Sequence, residues 1–255
     1  MTDDLTGSTW ADTKRINVWS SPRNVSTAIM YSFRQRSDTT VVDEPLYAYY
    51  LATTGREHPG RDEVLAYQSS DIGAVINGVI LSDYPTPVVF FKQMAKHLVG
   101  IDPAVTADVF FGRCENVILT RDPFDMLTSF QVRVPDATVA DTGFVELLAI
   151  LEQILALGDE PIVIDSKLLL KNPEPILRQL CGRLGLAFDE SMMSWPAGPK
   201  PEDGVWARYW YDSVRRSTGW APWKPKEATL LPHLQSVLDD VEPMYERLLP
   251  YCLSA

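Results

Sequence analysis

Cysteine and histidine are scarce in this chain, with three of each among 255 residues. The thiols, Cys114, Cys181 and Cys252, lie far apart, so they offer neither a zinc-ligand spacing nor a disulfide framework, and a reducing cytoplasm is the expected setting. No HxxxH, CxxC or carboxylate cluster asks for a metal. Positive charge is short as well. Lys and Arg number 23 against 34 Asp and Glu, leaving a net charge of −11. That balance argues against nucleic acid or a polyanionic polysaccharide as the main partner and suits a small neutral or cationic one. No apolar run approaches the length of a membrane span, and the polar segment 1–14 does not read as a signal peptide.

What the chain has is apolar content, 45% of its residues, enough for one sizeable core. Short apolar runs at 16–19, 40–43, 88–92, 117–120 and 162–165 read as strands. Helical patterns separate them, at 26–36, 71–81, 124–132, 144–157, 173–184, 205–214 and 234–249. Strands alternating with helices predict an α/β fold, three layers deep, with a parallel sheet of about five strands. In the 144–157 segment Phe144, Leu147, Leu148, Leu151, Ile154 and Leu155 fall at helical spacing, a core stripe. Residues 1–14 are expected to form a flexible arm and 15–255 a single domain. The Pro- and Trp-rich stretch 195–225 reads as an irregular lid over the sheet's carboxyl edge.

Two strand–loop–helix passages carry the chemistry. Residues 15–33 read RINVWSSPRNVSTAIMYSF: a strand, a tight polar loop, and a helix opened by Ser26 and Thr27. The first turn of a helix has unpaired N–H groups and the positive end of the dipole. Arg23 adds a permanent cation, so a phosphate or sulfonate is the natural guest. The loop has no glycine and carries Arg in place of Lys, so it is not the G-x-x-x-x-G-K-[ST] phosphate loop of nucleotide hydrolases. Residues 116–130, NVILTRDPFDMLTSF, repeat the order. Arg121 sits at the carboxyl end of its strand, where open α/β sheets bind ligands, and Ser129 lies two turns along the following helix.

These two loops, with IVIDSKLLLKNPEPILRQLCGRLGL at 162–186, resemble the sulfotransferase superfamily in its bacterial-type branch. The match runs from about 16 to 186, with a weaker tail near 215–220. The resemblance implies a P-loop nucleotide-kinase-like fold and 3′-phosphoadenosine 5′-phosphosulfate as co-substrate, with adenosine 3′,5′-bisphosphate as product. It implies a small-molecule acceptor bearing a hydroxyl or amine. It places the 5′-phosphosulfate on the first loop, at Ser21, Arg23, Asn24, Val25, Ser26 and Thr27. The 3′-phosphate falls to Arg121 and Ser129, and Arg215, Arg216 and Gly219 match a late loop that closes over the nucleotide.

Sulfuryl transfer requires a neutralised leaving phosphate and a group that takes the acceptor's proton. Arg23 answers the first need electrostatically, because a guanidinium does not readily give up a proton. For the second, Glu44 in VVDEPLY ends the second strand before Pro45. In VVFFKQMAKHL, Lys92 matches the family's lysine, and Gln93 and Met94 stand where Thr and His are expected. Glu44 is therefore the expected base, with His97 the alternative. Lys92 is expected at the sulfonate or the acceptor, and Asp43 is a candidate to orient Arg23. Tyr47, Tyr49 and Tyr50 suit either the acceptor pocket or the core. His58 and His233 read as structural, and the tryptophans at 206, 210, 220 and 223 as core or lid. The rival readings are a P-loop kinase or nucleotide hydrolase, and a non-catalytic nucleotide-binding protein of the same fold.

Overall fold

The computed structural model describes residues 13–225 and 227–254. The expected arm, residues 1–14, lies outside them up to residue 12, and Lys14 already begins the first strand. Five parallel strands form one sheet in the order β2-β3-β1-β4-β5. They are β1 (Lys14–Ser20), β2 (Thr39–Asp43), β3 (Val88–Met94), β4 (Glu115–Thr120) and β5 (Ile162–Asp165). Every predicted strand is present. β3 runs two residues longer than its apolar stretch, because Gln93 and Met94 stay buried and in register with Trp19 and Ser20 of β1.

Alternating side chains of the strands feed two cores. Trp19, Val89, Phe91, Ile118 and Val163 face the helices Pro123–Phe130, Phe144–Ala156 and Gln235–Leu248. Ile16, Val18, Phe90, Leu119 and Ile164 face α1 (Ser26–Phe33) and the helix Pro173–Arg183. Helices thus cover both faces of the sheet, as parallel strands require. The stripe read from 144–157 is core: Phe144, Leu147, Leu151 and Ile154 are all buried.

Two helical segments differ from expectation. Residues 205–214 form two short turns, Ala207–Trp210 and Asp212–Arg215, with the break at Tyr211, whose side chain turns inward. Residues 71–81 begin as α-helix at Ile72–Val75 and widen into a π-helical turn at Ile76–Ile80. A helix unforeseen in the sequence, α2 (Tyr47–Thr54), follows β2 and ends at Gly55, whose φ of 64° suits glycine. With Val64, Trp206 and Tyr211 its Tyr47 and Tyr50 make a third, smaller core beyond the carboxyl ends of β2 and β3, while Tyr49 joins the first.

The strand order fixes where a ligand belongs. From β1 the chain turns toward β2, and from β4 it turns toward β5, so adjacent strands β1 and β4 send their connections in opposite directions. A crevice opens at such a point outside the carboxyl ends. The two loops singled out in the sequence leave those two strands.

Candidate active site

A cavity of about 340 Å³ lies at this crevice. Its floor on the β1 side is the glycine-free loop. Arg23 and Val25 adopt φ of 60° and 61°, the left-handed region that a β-branched residue rarely enters, and Glu44 across the cavity has φ 41°. Among the described residues these are the three non-glycine positions of positive φ, and all three line the cavity. Such backbone costs roughly 1–3 kcal/mol per residue and persists only where neighbours impose it.

The neighbours are specific. Asn24 donates its amide to the Leu119 carbonyl at 2.7 Å, and Ser166 donates its hydroxyl to the Asn24 carbonyl at 3.1 Å. Arg121 donates to the Arg23 carbonyl at 2.6 Å. The loop is thereby tied to the ends of β4 and β5, and Val25 caps α1 with its backbone alone. The first-turn N–H groups of Ser26 and Thr27 are left for a guest.

The charge in this half is positive. Arg23 donates through Nε to Ser129 Oγ at 3.2 Å and forms no ion pair among the described residues. Burial lowers its pKa, and Arg121 and Arg133 lower it further. Arg121 pairs with Asp125 at 3.7 Å, and Asp122 and Asp165 also support its charge. Two converging guanidiniums beside a helix N-terminus make an anion site.

The other half lies over β3 and β2 and is built around a buried ion cluster. Lys92 is 1% exposed at the end of β3. Its ammonium donates to Asp43 Oδ1 at 3.0 Å, to Tyr211 OH at 2.7 Å, and to Glu44 Oε1. Tyr211 in turn donates to Asp43 at 2.8 Å, and Trp206 donates its indole N–H to Tyr211 at 3.2 Å. Burial opposes the charge on Lys92, but Asp43 and Glu44 overcome it and raise its pKa. Two carboxylates share that one cation. Burial therefore raises the pKa of Glu44, the nearby Asp43 adds to this, and Lys92 holds it back. Glu44 Oε2 makes no hydrogen bond among the described residues.

Beyond Lys92 the chain enters a 3₁₀ turn, Ala95–Leu98, that carries Lys96 and His97 into the same half. His97 is sandwiched between Tyr47 and Tyr50, with ring centroids 4.9 and 4.7 Å away. Burial pushes its pKa well below the usual histidine value, with Lys96 adding to the effect. Lys96 lies over the rings of Tyr50 and Phe130, at 5.2 and 5.8 Å. Tyr47 OH meets His58 Nδ1 at 2.8 Å, and burial drops the His58 pKa to about 3.

The structure brings together most residues singled out in the sequence. Arg23, Asn24, Val25, Ser26, Thr27, Arg121, Ser129 and Gly219 line the cavity, as do Glu44, Lys92 and His97. Ser21 does not; it is buried beneath the loop, its Oγ accepting from Asn24 at 3.3 Å. Arg215 turns away and pairs with Asp203 through Nε at 3.0 Å and Nη2 at 2.8 Å, while Arg216 is exposed outside the cavity. Asp43 binds Lys92 and Tyr211, not Arg23. His58, read as structural, lines the cavity. Lys96 and Tyr211 went unnoticed. A lysine next to His97 in an apolar run was the one available signal for the first, and nothing local marks the second.

The profile of the family described as "Sulfotransferase domain" matches residues 14–248. Two Arabidopsis thaliana proteins are similar along most of the chain. Branched-chain-amino-acid aminotransferase-like protein 1 is 39% identical over 92% of this chain and 41% of its own length, and protein 2 is 36% identical over 90% and 40%. The chain thus spans about two-fifths of these curated relatives. Among solved structures, the sulfotransferase of Alicyclobacillus acidocaldarius has a TM-score of 0.54 at 14% identity, covering 93% of this chain and 95% of its own. The sulfotransferase domain of the curacin biosynthetic pathway has a TM-score of 0.52 at 16% identity, covering 89% and 97%. At these identities the likeness is one of fold.

Proposed function

The chain belongs to the sulfotransferase-domain family, and from that premise we propose that it transfers a sulfuryl group from 3′-phosphoadenosine 5′-phosphosulfate to a hydroxyl or amine of a small molecule. The observation that carries this reading is the division of one cavity into two unlike halves: an anion cradle over β1 and β4, and a buried carboxylate beside Lys92 over β2 and β3. Transfer between an anionic donor and a proton-bearing acceptor needs both.

The residues present fit the donor. Arg23 and the N-terminus of α1 would hold the 5′-phosphosulfate, and Arg121 with Ser129 the 3′-phosphate. When bound, the donor supplies the sulfuryl group and a phosphate that leaves with its charge. Arg23 stabilises that charge from a fixed position, because its backbone is clamped by Arg121 and its Nε by Ser129. Glu44 takes the acceptor proton at Oε2, and burial, by raising its pKa, makes it a stronger base than an exposed carboxylate. His97, held neutral and weakly basic by burial, suits that role less well. The three cysteines are free thiols, in keeping with a cytoplasmic setting. The plant relatives' name describes chains of more than twice the matched length, and transamination is no part of this proposal.

Thermal denaturation with adenosine 3′,5′-bisphosphate, AMP and ATP tests the reading. The bisphosphate at 100 times its Kd stabilises the fold by about 2.7 kcal/mol, well above the other two and without magnesium. A magnesium-dependent preference for ATP would point to a kinase. Bisphosphate binding with no turnover across a broad panel of alcohols and amines would point to a binding protein.

A further inference from the structure

Lys96 is 5% exposed, yet among the described residues its ammonium makes no hydrogen bond and no ion pair. Its close contacts among the described residues are two aromatic faces, Tyr50 and Phe130. Next to it His97, 1% exposed, leaves Nδ1 without a partner. Both side chains line the half of the cavity over β3 and β2, on the far side of the crevice from the helix N-terminus. An ammonium that faces the cavity without a protein acceptor in reach is open to an acceptor-bearing guest.

Three carboxylates act on Lys96 from a distance, and two of them are paired elsewhere. Asp141 pairs with Arg56 at 3.0 Å and accepts from Thr138 at 2.7 Å. Glu44 is bound to Lys92. Glu146 leaves its buried Oε2 without a hydrogen-bond partner; burial raises its pKa and Lys96 holds it back. Among the described residues none of these carboxylates comes within ion-pair distance of the ammonium, although all three favour its charge from further away. Resting on the sulfotransferase reading above, we infer that the acceptor is itself an acid: Lys96 anchors a carboxylate of the acceptor while its hydroxyl or amine faces Glu44. Net charge alone pointed to a neutral or cationic partner, but the lining of this half reverses that expectation locally. The aromatic walls, Tyr47, Phe130 and Trp210, favour an acceptor whose body is apolar.

Protein saturated with adenosine 3′,5′-bisphosphate provides the test. Isothermal titration compares 4-hydroxyphenylacetate, 3-hydroxybutyrate and benzoate, each with its own amide. At pH 7 at least one acid binds tenfold or more tighter than its amide, and Lys96→Met abolishes that advantage. Should that variant fail to fold, the wild-type protein answers by pH. Burial lowers the Lys96 pKa to about 8, against Asp141, Glu44 and Glu146, which raise it, and Arg56, which lowers it. The acid's advantage therefore shrinks as pH rises from 7 to 10, while amide binding holds. Acids and amides binding alike throughout, no probe binding at all, or an advantage that survives Lys96→Met each overturn the inference. So does a Lys96→Met variant that loses only bisphosphate affinity, which puts the ammonium on the donor. Absence of bisphosphate binding in the wild type is a different result and strikes the sulfotransferase reading itself.

Discussion

Glu44 and Lys92 are joined twice: the Glu44 backbone N–H donates to the Lys92 carbonyl at 2.8 Å, and the Lys92 ammonium donates to the Glu44 carboxylate. The backbone bond continues the pairing of β2 with β3 for one residue beyond the strand end, and it accompanies the positive φ of Glu44. The side-chain bond then sets how easily that carboxylate ionises. Lys92 thus helps to place the proposed base and, against burial and Asp43, moderates its proton affinity.

Lys92→Met leaves Asp43 and Glu44 buried without their cation. Breaking a buried ion pair costs about 3–5 kcal/mol, and the loss is expected to depend on pH. The Glu44 pKa, already raised in the folded protein, climbs further when Lys92 is gone. A folded-state pKa above the unfolded one means a penalty absent at low pH that grows as pH rises above the ordinary carboxylate range. Urea denaturation therefore shows a smaller deficit at pH 5 than at pH 8. Equal deficits at the two pH values would mean that Lys92 does not govern Glu44.

Glu44→Gln keeps the size of the side chain and a partner for Lys92, but the amide takes no proton. Turnover falls by about 10²–10⁴, with bisphosphate affinity and melting temperature near those of the wild type. The wild-type rate rises with pH through the raised Glu44 pKa, and this limb disappears in the variant. His97→Ala is mild by comparison. Activity within a few fold of wild type in Glu44→Gln would transfer the role to His97.

Arg121 has two attachments, and its variants separate them. Arg121→Ala removes a cation from the 3′-phosphate and releases the Arg23 carbonyl, so it weakens nucleotides with and without that phosphate, the former by about 2–4 kcal/mol. Ser129→Ala leaves the loop's backbone clamp in place and discriminates more cleanly: it weakens the bisphosphate more than AMP. Calorimetry with both nucleotides reads the difference, and equal losses in Ser129→Ala would remove Ser129 from the 3′ site.

Arg215→Ala tests a residue that the structure moves out of the cavity. Asp203, whose side chain is 3% exposed, keeps Tyr31 but loses Arg215. Leaving a buried acceptor short of a partner costs about 1–3 kcal/mol. The melting temperature drops while bisphosphate affinity changes by less than threefold. A large loss of affinity at unchanged stability would return Arg215 to the nucleotide.

The sequence by itself determined the sheet and the anion cradle. Strand hydrophobicity, the Ser-Thr helix start and the cations beside it are local patterns, and local patterns survive translation into β1, α1 and the loop between them. It also found Glu44, because an acidic residue between a strand end and a proline is visible in seven letters. Tertiary structure alone decided the partners. Tyr211 reaches Asp43 across 168 residues, and Arg215 prefers Asp203 to the cavity, because the break between two short helical turns aims one side chain in and the other away. Among the described residues Lys96 has no carboxylate within ion-pair distance for the same reason. Burial and pairing are properties of the packed chain, and whether a cation finds a carboxylate is settled only when distant segments close around it.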